Sequence, residues 1–306
     1  MMNFNWQGVM PALTTQFDAQ EQLNLEAFEL NLVAQIEAGV HGIVLGGTLG
    51  EASTLTADEK VALLKKAQDV ISGRIPVIIN IAEQSTDDAI AAAQAAETNG
   101  ADGLMLLPPM RYKATDEETV QYFAAIAQST KLPIMIYNNP VDYKIEVTLD
   151  MFHQLQQYKN IQAVKESTRD ISNVTRMINR FGSRYQILCG VDTLAMESLV
   201  MGADGWVAGL VDAFPKETVA VFAYTKAGKI DEALTIYRWF LPLLELDISP
   251  QLVQNIKQCE IATGIGKGHV RKPRLILKGA ERIRVQKIID DSLASRPDLG
   301  NYKTYL

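Results

Sequence analysis

Short apolar runs alternate with amphipathic segments as far as about residue 225 of this 306-residue chain, and this alternation limits the folds open to it. Most of the runs are continuously apolar, as expected of parallel strands that are covered on both faces. They start roughly 20–35 residues apart, the length of one strand, one helix and two loops. The pattern predicts eight strands, at Val9–Leu13, Gly42–Leu45, Val77–Ile81, Gly103–Leu107, Ile134–Tyr137, Ile161–Lys165, Gln186–Cys189 and Trp206–Leu210.

A weak internal repeat supports the same count. The segments Ala38–Gly42, Asn99–Gly103 and Met201–Gly205 each place a glycine at the end of a predicted helix, just before a predicted strand. Eight such units fit a (β/α)8 TIM barrel of the α/β class better than an open doubly wound sheet. We therefore predict a barrel domain over residues 1–225 and a C-terminal helical extension over 226–306, packed on the barrel.

After the eighth strand the pattern is helical only. It predicts helices at about 215–228, 229–247, 251–264 and 279–294. No linker or low-complexity segment interrupts this region, so we expect no separate domain there.

Composition narrows the functional class. A net charge of −7 argues against nucleic acid or an anionic membrane as the main partner. Cys189 and Cys259 form no disulfide framework, and the N-terminus lacks a signal-peptide pattern, so we expect a soluble cytoplasmic protein. His41, His153 and His269 have no metal-ligand spacing, and we predict no metal site.

In such barrels the reactive groups follow the carboxyl ends of the strands. Lys165 and Tyr137 end the sixth and fifth predicted strands, one repeat apart, so we expect them side by side. Desolvation lowers the pKa of a lysine in a pocket, and the neutral amine is then a nucleophile for carbonyl substrates. From position alone, Lys165 could instead extend into solvent and Tyr137 could be a rim aromatic. Their matching positions at the ends of neighbouring strands favour Schiff-base chemistry at Lys165, with the Tyr137 phenol as proton carrier.

The loop Gly46–Glu51 follows the second predicted strand and holds three glycines. Its backbone NH groups could bind a substrate carboxylate, with the Thr48 hydroxyl as a further donor. The alternative is a tight strand-to-helix turn. The loop matches neither GxGxxG nor the P-loop spacing, so nucleotide binding is poorly supported, and we predict no cofactor.

These residues together resemble the dihydrodipicolinate synthase / N-acetylneuraminate lyase family of class I aldolase-type barrels. The resemblance is carried by Gly47–Glu51 (family pattern G-[ST]-T-G-E), by Tyr137–Pro140 (Y-N-x-P) and by Val164–Glu166. It implies that Lys165 forms a Schiff base with a 2-oxo acid and that Tyr137 is the acid/base. It also implies that Thr48 and the adjacent glycine amides hold the carboxylate, and that the protein is a homotetramer, a dimer of dimers. The substrate-binding residues that we expect are Gly47, Thr48, Leu49, Gly190, Gly209, Asn139 and Arg111.

The sequence departs from the lysine-pathway synthases of this family at three places. Asp142 occupies the position of the arginine that holds their second substrate, and Leu49 replaces the second threonine of their hydroxyl relay. Their relay tyrosine comes from a P-Y-Y segment of the neighbouring subunit, which here is Pro109–Tyr112. Arg111 could compensate in part. These differences argue against the synthase activity.

Three other segments look closer to a catabolic branch of the family: Ile136–Pro140, Trp206–Gly209 and Ile236–Phe240. Our leading hypothesis is dehydration and deamination of Δ1-pyrroline-4-hydroxy-2-carboxylate, a cyclic imino acid. The alternatives are 4-hydroxy-tetrahydrodipicolinate synthase, a 2-keto-3-deoxy sugar-acid aldolase or dehydratase, and, remotely, a non-catalytic barrel that binds a keto acid.

Overall fold

The structure is a computed structural model that describes residues 5–306. The N-terminal segment in which we saw no signal-peptide pattern begins with residues 1–4, which lie outside this range. Within the described range the eight predicted strands are confirmed as one parallel sheet. Their bounds are β1 Gly8–Pro11, β2 Ile43–Leu45, β3 Val77–Ile81, β4 Gly103–Leu106, β5 Ile134–Asn138, β6 Ile161–Glu166, β7 Gln186–Cys189 and β8 Gly205–Ala208.

The sheet closes into a barrel. Each strand pairs in parallel with its neighbours in the order β1-β8-β7-β6-β5-β4-β3-β2. The ring is completed between β1 and β2, where Ala12 bridges to Val44 and the Leu13 NH donates to the Val44 carbonyl at 2.9 Å. All eight carboxyl ends therefore meet at one rim, and the predicted TIM barrel is confirmed.

Helices alternate with the strands on the outside of the barrel. Those that precede β8 are α1 Leu25–Ala38, α2 Ala57–Ile71, α3 Thr86–Thr98, α4 Asp116–Ser129, α5 Pro140–Tyr143, α6 Leu149–Leu155, α7 Ser172–Phe181 and α8 Ala195–Val200. Thr56, Ser85 and Thr115 cap α2, α3 and α4 through their side-chain oxygens. Gly39 ends α1 in the left-handed conformation, as its place in the repeat predicts.

The C-terminal region is helical, as predicted. It comprises α9 Pro215–Lys226, α10 Ile230–Leu244, α11 Leu252–Thr263 and α12 Gly279–Ala294. Helix α9 follows β8 and packs against β1, β8 and α1. It therefore closes the ring of helices around the barrel. The predicted helix 229–247 is wrong at its end, because the chain tightens into a 3-10 turn at Glu245–Ile248. The domain boundary at 225/226 stays a proposal.

The extension is tied to the barrel rim by buried polar contacts. In α11, the Lys257 amine lies 2.6 Å from Glu51 Oε1, and neither side chain is exposed to solvent. The Arg271 NH donates to the other Glu51 oxygen at 3.0 Å. One turn beyond Lys257, Glu260 accepts the Thr14 hydroxyl at 2.5 Å. The rim loop after β2 and the tail are therefore held as one unit.

Among the described residues, no helix is long and apolar enough to cross a membrane. The apolar side chains form one continuous core that extends from inside the barrel to the inner faces of the helices. This core fixes the strand ends that carry the candidate site.

Candidate active site

Lys165 and Tyr137 lie side by side at the rim. They are register partners on β6 and β5, as their spacing predicts. The Lys165 amine lies 4.2 Å from the centroid of the Tyr137 ring, and Lys165 is only 7% exposed. Extension of this lysine into solvent, the alternative left open by the sequence, is therefore wrong.

The surroundings of Lys165 favour the neutral amine. Burial lowers its pKa, because the charged ammonium loses its hydration, while Tyr143, Asp247 and Asp192 act in the opposite sense. A neutral amine is the nucleophilic form of lysine. The pocket thus supports attack on a carbonyl or imine carbon.

Tyr137 is held as a protonated phenol. Burial raises its pKa to about 12, and a hydrogen bond from the Asn139 amide limits the rise. That amide donates to the phenol oxygen at 3.1 Å and to an Asp142 carboxylate oxygen at 2.7 Å. The Asn139 amide therefore fixes the direction of the phenol hydroxyl, while the Lys165 amine lies over the face of the ring.

Two adjoining chambers lie at these two residues. The inner chamber has a volume of about 60 Å³ and is lined by Lys165 and by the strand-end loops. The outer chamber has a volume of about 320 Å³ and opens toward solvent. Both are lined by Thr48, Tyr137, Gly190, Asp247 and Leu252, which we call the neck.

The structure brings together all but one of the predicted site residues. The inner chamber is lined by Lys165, Tyr137, Gly47, Thr48, Leu49, Gly190 and Gly209. Asn139 lines the outer chamber. Arg111 is exposed and lines neither chamber, so its part in substrate binding stays a prediction.

Two of the three glycines of the loop after β2, Gly46 and Gly50, are required by its geometry. Gly46 has a φ of +68°, a conformation that favours glycine. A side chain at Gly50 would come within 3.1 Å of the Leu13 carbonyl oxygen and the Gly46 nitrogen. The last residue of the motif, Glu51, points away from the chambers and binds Lys257. The loop is thus a tight turn that also forms a wall of the inner chamber.

Tyr143 is a site residue that the sequence analysis did not select. Its hydroxyl lies 3.0 Å from the Thr48 hydroxyl, and its ring meets the Tyr137 ring edge-on with centroids 5.5 Å apart. Helix α5 places it there, with Asn139 as its N-cap and Pro140 in the first turn. An Asn-Pro pair is a recognisable helix start, and a helix beginning at Pro140 would have predicted that Tyr143 lies near the site.

Asp247 is a second site residue that the sequence did not reveal. It belongs to the turn Glu245–Ile248 of the extension, yet it lines both chambers. A side-chain carbon at Gly209 would lie 2.6 Å from Asp247 Oδ1, so the missing side chain makes room for the carboxyl group. Burial and the nearby Asp192 raise the pKa of Asp247 well above its usual range.

Asp192 holds the loops after β7 and β8. Its carboxylate accepts the Trp206 indole NH at 2.8 Å, the Gly209 NH at 3.1 Å and the Leu210 NH at 2.8 Å. These bonds end β8 at Ala208, two residues earlier than predicted, and start a 3-10 turn. Cys189, near Asp192, is a buried free thiol that donates to the Val191 carbonyl oxygen at 3.4 Å.

No group of three or more potential metal ligands occurs among residues 5–306. His41 is instead a packing residue: its ring nitrogen accepts the Val9 NH at 3.2 Å, and burial lowers its pKa.

Comparison with known proteins places the chain in a family. Residues 5–292 match the model of the dihydrodipicolinate synthetase family. A 4-hydroxy-tetrahydrodipicolinate synthase 1 of Halalkalibacterium halodurans is 31% identical over 283 residues, which is 92% of this chain and 96% of that protein. A 4-hydroxy-tetrahydrodipicolinate synthase of Methanococcus aeolicus is 32% identical over 287 residues, covering 93% of this chain and 98% of the relative.

Solved structures agree in fold. A dihydrodipicolinate synthase of Bacillus anthracis has a TM-score of 0.91 at 28% identity, over 96% of this chain and 100% of that one. A chloride-inhibited dihydrodipicolinate synthase of Acinetobacter baumannii, complexed with pyruvate, has a TM-score of 0.90 at 27% identity, over 94% and 99% of the two chains. The chain therefore belongs to the dihydrodipicolinate synthetase family of Schiff-base lyases.

Proposed function

We propose that Lys165 forms a Schiff base with a small 2-oxo acid or cyclic imino acid, and that Tyr137 carries the protons of this reaction. The observation that carries the proposal is the buried Lys165 amine, 4.2 Å from the Tyr137 ring and with a lowered pKa. A neutral amine beside a protonated phenol is the pair that addition to a carbonyl and loss of water require.

Formation of the Schiff base and of the enamine follows from this pair. The amine adds to the second carbon of the substrate, and loss of water gives an iminium ion. Removal of a proton from the third carbon then gives an enamine, with the iminium nitrogen as the electron sink. The loop after β2 supplies backbone NH groups and the Thr48 hydroxyl for the substrate carboxylate.

The names of the relatives support 4-hydroxy-tetrahydrodipicolinate synthase, an alternative of the sequence analysis, as the overall reaction, and they give no support to the deaminase that was its leading hypothesis. In that reaction the enamine of pyruvate would attack aspartate semialdehyde. The pyruvate complex of the Acinetobacter enzyme is consistent with pyruvate as the first substrate. Arg169 lines the outer chamber and supplies a guanidinium group for a second carboxylate.

Deamination of Δ1-pyrroline-4-hydroxy-2-carboxylate is the second candidate, favoured by two residues at the chambers. Leu49 is buried and adds no hydroxyl to the inner chamber. Asp142 brings a carboxylate to the outer chamber, which disfavours a second anionic group nearby. Lys165 would attack the ring carbon, the 4-hydroxyl would leave as water, and hydrolysis would release ammonia and 2-oxoglutarate semialdehyde.

Borohydride trapping tests the Schiff base. The protein is incubated with pyruvate, a 2-keto-3-deoxy acid or the pyrroline acid, reduced, digested and analysed by mass spectrometry. We expect the adduct on Lys165 and its loss in Lys165→Ala, with Lys159→Ala as a control. An adduct on another lysine, or none with any substrate, would contradict the proposal.

Product assays separate the two reactions. Condensation consumes aspartate semialdehyde only when pyruvate is present, whereas deamination releases ammonia from the pyrroline acid.

We also propose that the protein is a cytoplasmic homotetramer. Analytical ultracentrifugation tests the oligomeric state, and cell fractionation tests the location.

A further inference from the structure

Asp247 is a polar group at the neck whose carboxyl is not used by the fold. It lies in the 3-10 turn Glu245–Ile248, above the ends of β7 and β8. It lines the inner chamber together with Lys165 and the outer chamber together with Arg169. Its carboxyl therefore faces the passage that connects the amine to solvent.

One oxygen of this carboxyl has no partner in the protein. Asp247 Oδ1 is buried and makes no hydrogen bond to any of residues 5–306. Its neighbour at the strand end is Gly209, whose missing side chain leaves the oxygen free to face the chamber. A buried oxygen without a hydrogen-bond partner costs free energy, and such atoms in native structures often mark a ligand contact.

The other polar neck residues already have partners. The Tyr137 phenol accepts the Asn139 amide, and the Thr48 hydroxyl is bonded to Tyr143. Burial and Asp192 raise the pKa of Asp247, against the effect of Lys165, so its carboxyl tends to keep a proton. The Asp247 carboxyl thus has an unoccupied hydrogen-bonding position at the neck, and its raised pKa favours the form that can donate a proton.

The bound substrate would extend toward this donor. In the proposed complex the second carbon of the substrate is joined to Lys165 and its carboxylate lies on the loop after β2. The third and fourth carbons then point into the neck. We propose that Asp247 binds the oxygen on the fourth substrate carbon and gives it a proton. This inference rests on the proposed function and adds a catalytic residue from the extension to it.

The step balances in both candidate reactions. In a condensation, the enamine electron pair forms the bond between the third and fourth carbons, and the aldehyde oxygen takes the Asp247 proton to become a hydroxyl. In a dehydration, the same pair forms the double bond between these carbons while the bond from the fourth carbon to oxygen breaks, and the oxygen leaves with the Asp247 proton as water. In both, Asp247 becomes a carboxylate beside the Lys165 iminium and recovers its proton from solvent through the outer chamber.

The test separates early from late steps in the intact protein. Asp247→Asn keeps the size of the side chain and removes the acid. We expect it to retain the borohydride adduct of pyruvate on Lys165 and the exchange of pyruvate methyl protons with D2O, within about threefold of wild type, and to lose about 10²–10⁴-fold in kcat. Equal loss of exchange and turnover, or turnover within about threefold of wild type, would overturn the assignment.

Two further variants guard this result. Gly209→Ala keeps the Asp247 carboxyl but places the alanine side-chain carbon 2.6 Å from Asp247 Oδ1. We therefore expect this variant, like Asp247→Asn, to retain proton exchange and to lose turnover. Glu245→Gln changes an exposed acid of the same turn and should leave all three readouts unchanged. Failure of the wild type to form an adduct with pyruvate, a 2-keto-3-deoxy acid or the pyrroline acid would refute the proposed function. Full turnover by Gly209→Ala and Asp247→Asn with the adduct intact would refute only the role of Asp247.

Discussion

The Lys165 amine lies 4.2 Å from the centroid of the Tyr137 ring, and the two residues are register partners on adjacent strands of the barrel. Both side chains are buried, which lowers the pKa of the amine and raises that of the phenol to about 12. Burial thus has opposite effects on the two pKa values and favours the uncharged form of each group. This neutral pair is what a Schiff-base reaction starts from.

Tyr137→Phe should uncouple imine formation from turnover. The phenylalanine keeps the ring against Lys165 but removes the hydroxyl, so kcat should fall about 10²–10⁴-fold while the borohydride adduct still forms. Steady-state kinetics and mass spectrometry measure the two effects. The control is Tyr158→Phe, because Tyr158 lies just before the amino end of β6, at the opposite end of the strand from Lys165. Unchanged turnover in Tyr137→Phe would remove this residue as the acid/base.

Tyr143 and Thr48 should act as one unit. Because their hydroxyls share one hydrogen bond of 3.0 Å, Tyr143→Phe and Thr48→Val should each lower kcat, and the double variant should lose less than the sum of the two effects. We expect a loss of about 10- to 100-fold in kcat for Tyr143→Phe. Additive losses would show that the two hydroxyls work independently.

The pH dependence of trapping should report the buried amine. Lysine attacks only when neutral, so a lowered pKa moves the onset of imine formation to lower pH. The initial trapping rate should therefore rise with pH through the lowered pKa and level off above it. Nα-acetyl-lysine, treated in the same way, gives the reference curve. A midpoint equal to that of the free amino acid would contradict the burial of the amine.

The Lys257–Glu51 pair should stabilise the fold. Lys257→Met leaves the Glu51 carboxylate buried with a more distant cation, Arg274, at 3.8 Å instead of 2.6 Å. We expect the free energy of unfolding to fall by about 3–5 kcal/mol, because a buried charge without its partner keeps its desolvation cost. Urea denaturation followed by circular dichroism measures the change.

The control for this pair is Lys287→Met. Lys287 pairs with Asp291 at 2.7 Å on the exposed face of α12, and its loss should leave the free energy of unfolding nearly unchanged, because solvent screens an exposed pair. Equal changes in the two variants would show that burial adds nothing to the ion pair.

The sequence by itself determined the barrel, the strand order and the rim position of Lys165 and Tyr137. These follow from local patterns: continuously apolar runs, glycine helix ends, and a spacing of one repeat between two strand ends. The glycine loop was also predictable, since its positive φ at Gly46 and its close approach at Gly50 need glycines.

Only the tertiary structure decided how the extension meets the rim. Glu51 is part of the motif that suggested chemistry, yet it binds Lys257, which lies 206 residues later in the chain. Asp247 enters the neck from a turn that the helical periodicity predicted as plain helix. Contacts of this kind depend on how distant segments pack and on whether buried charges find partners, and neither leaves a periodic signal in the sequence.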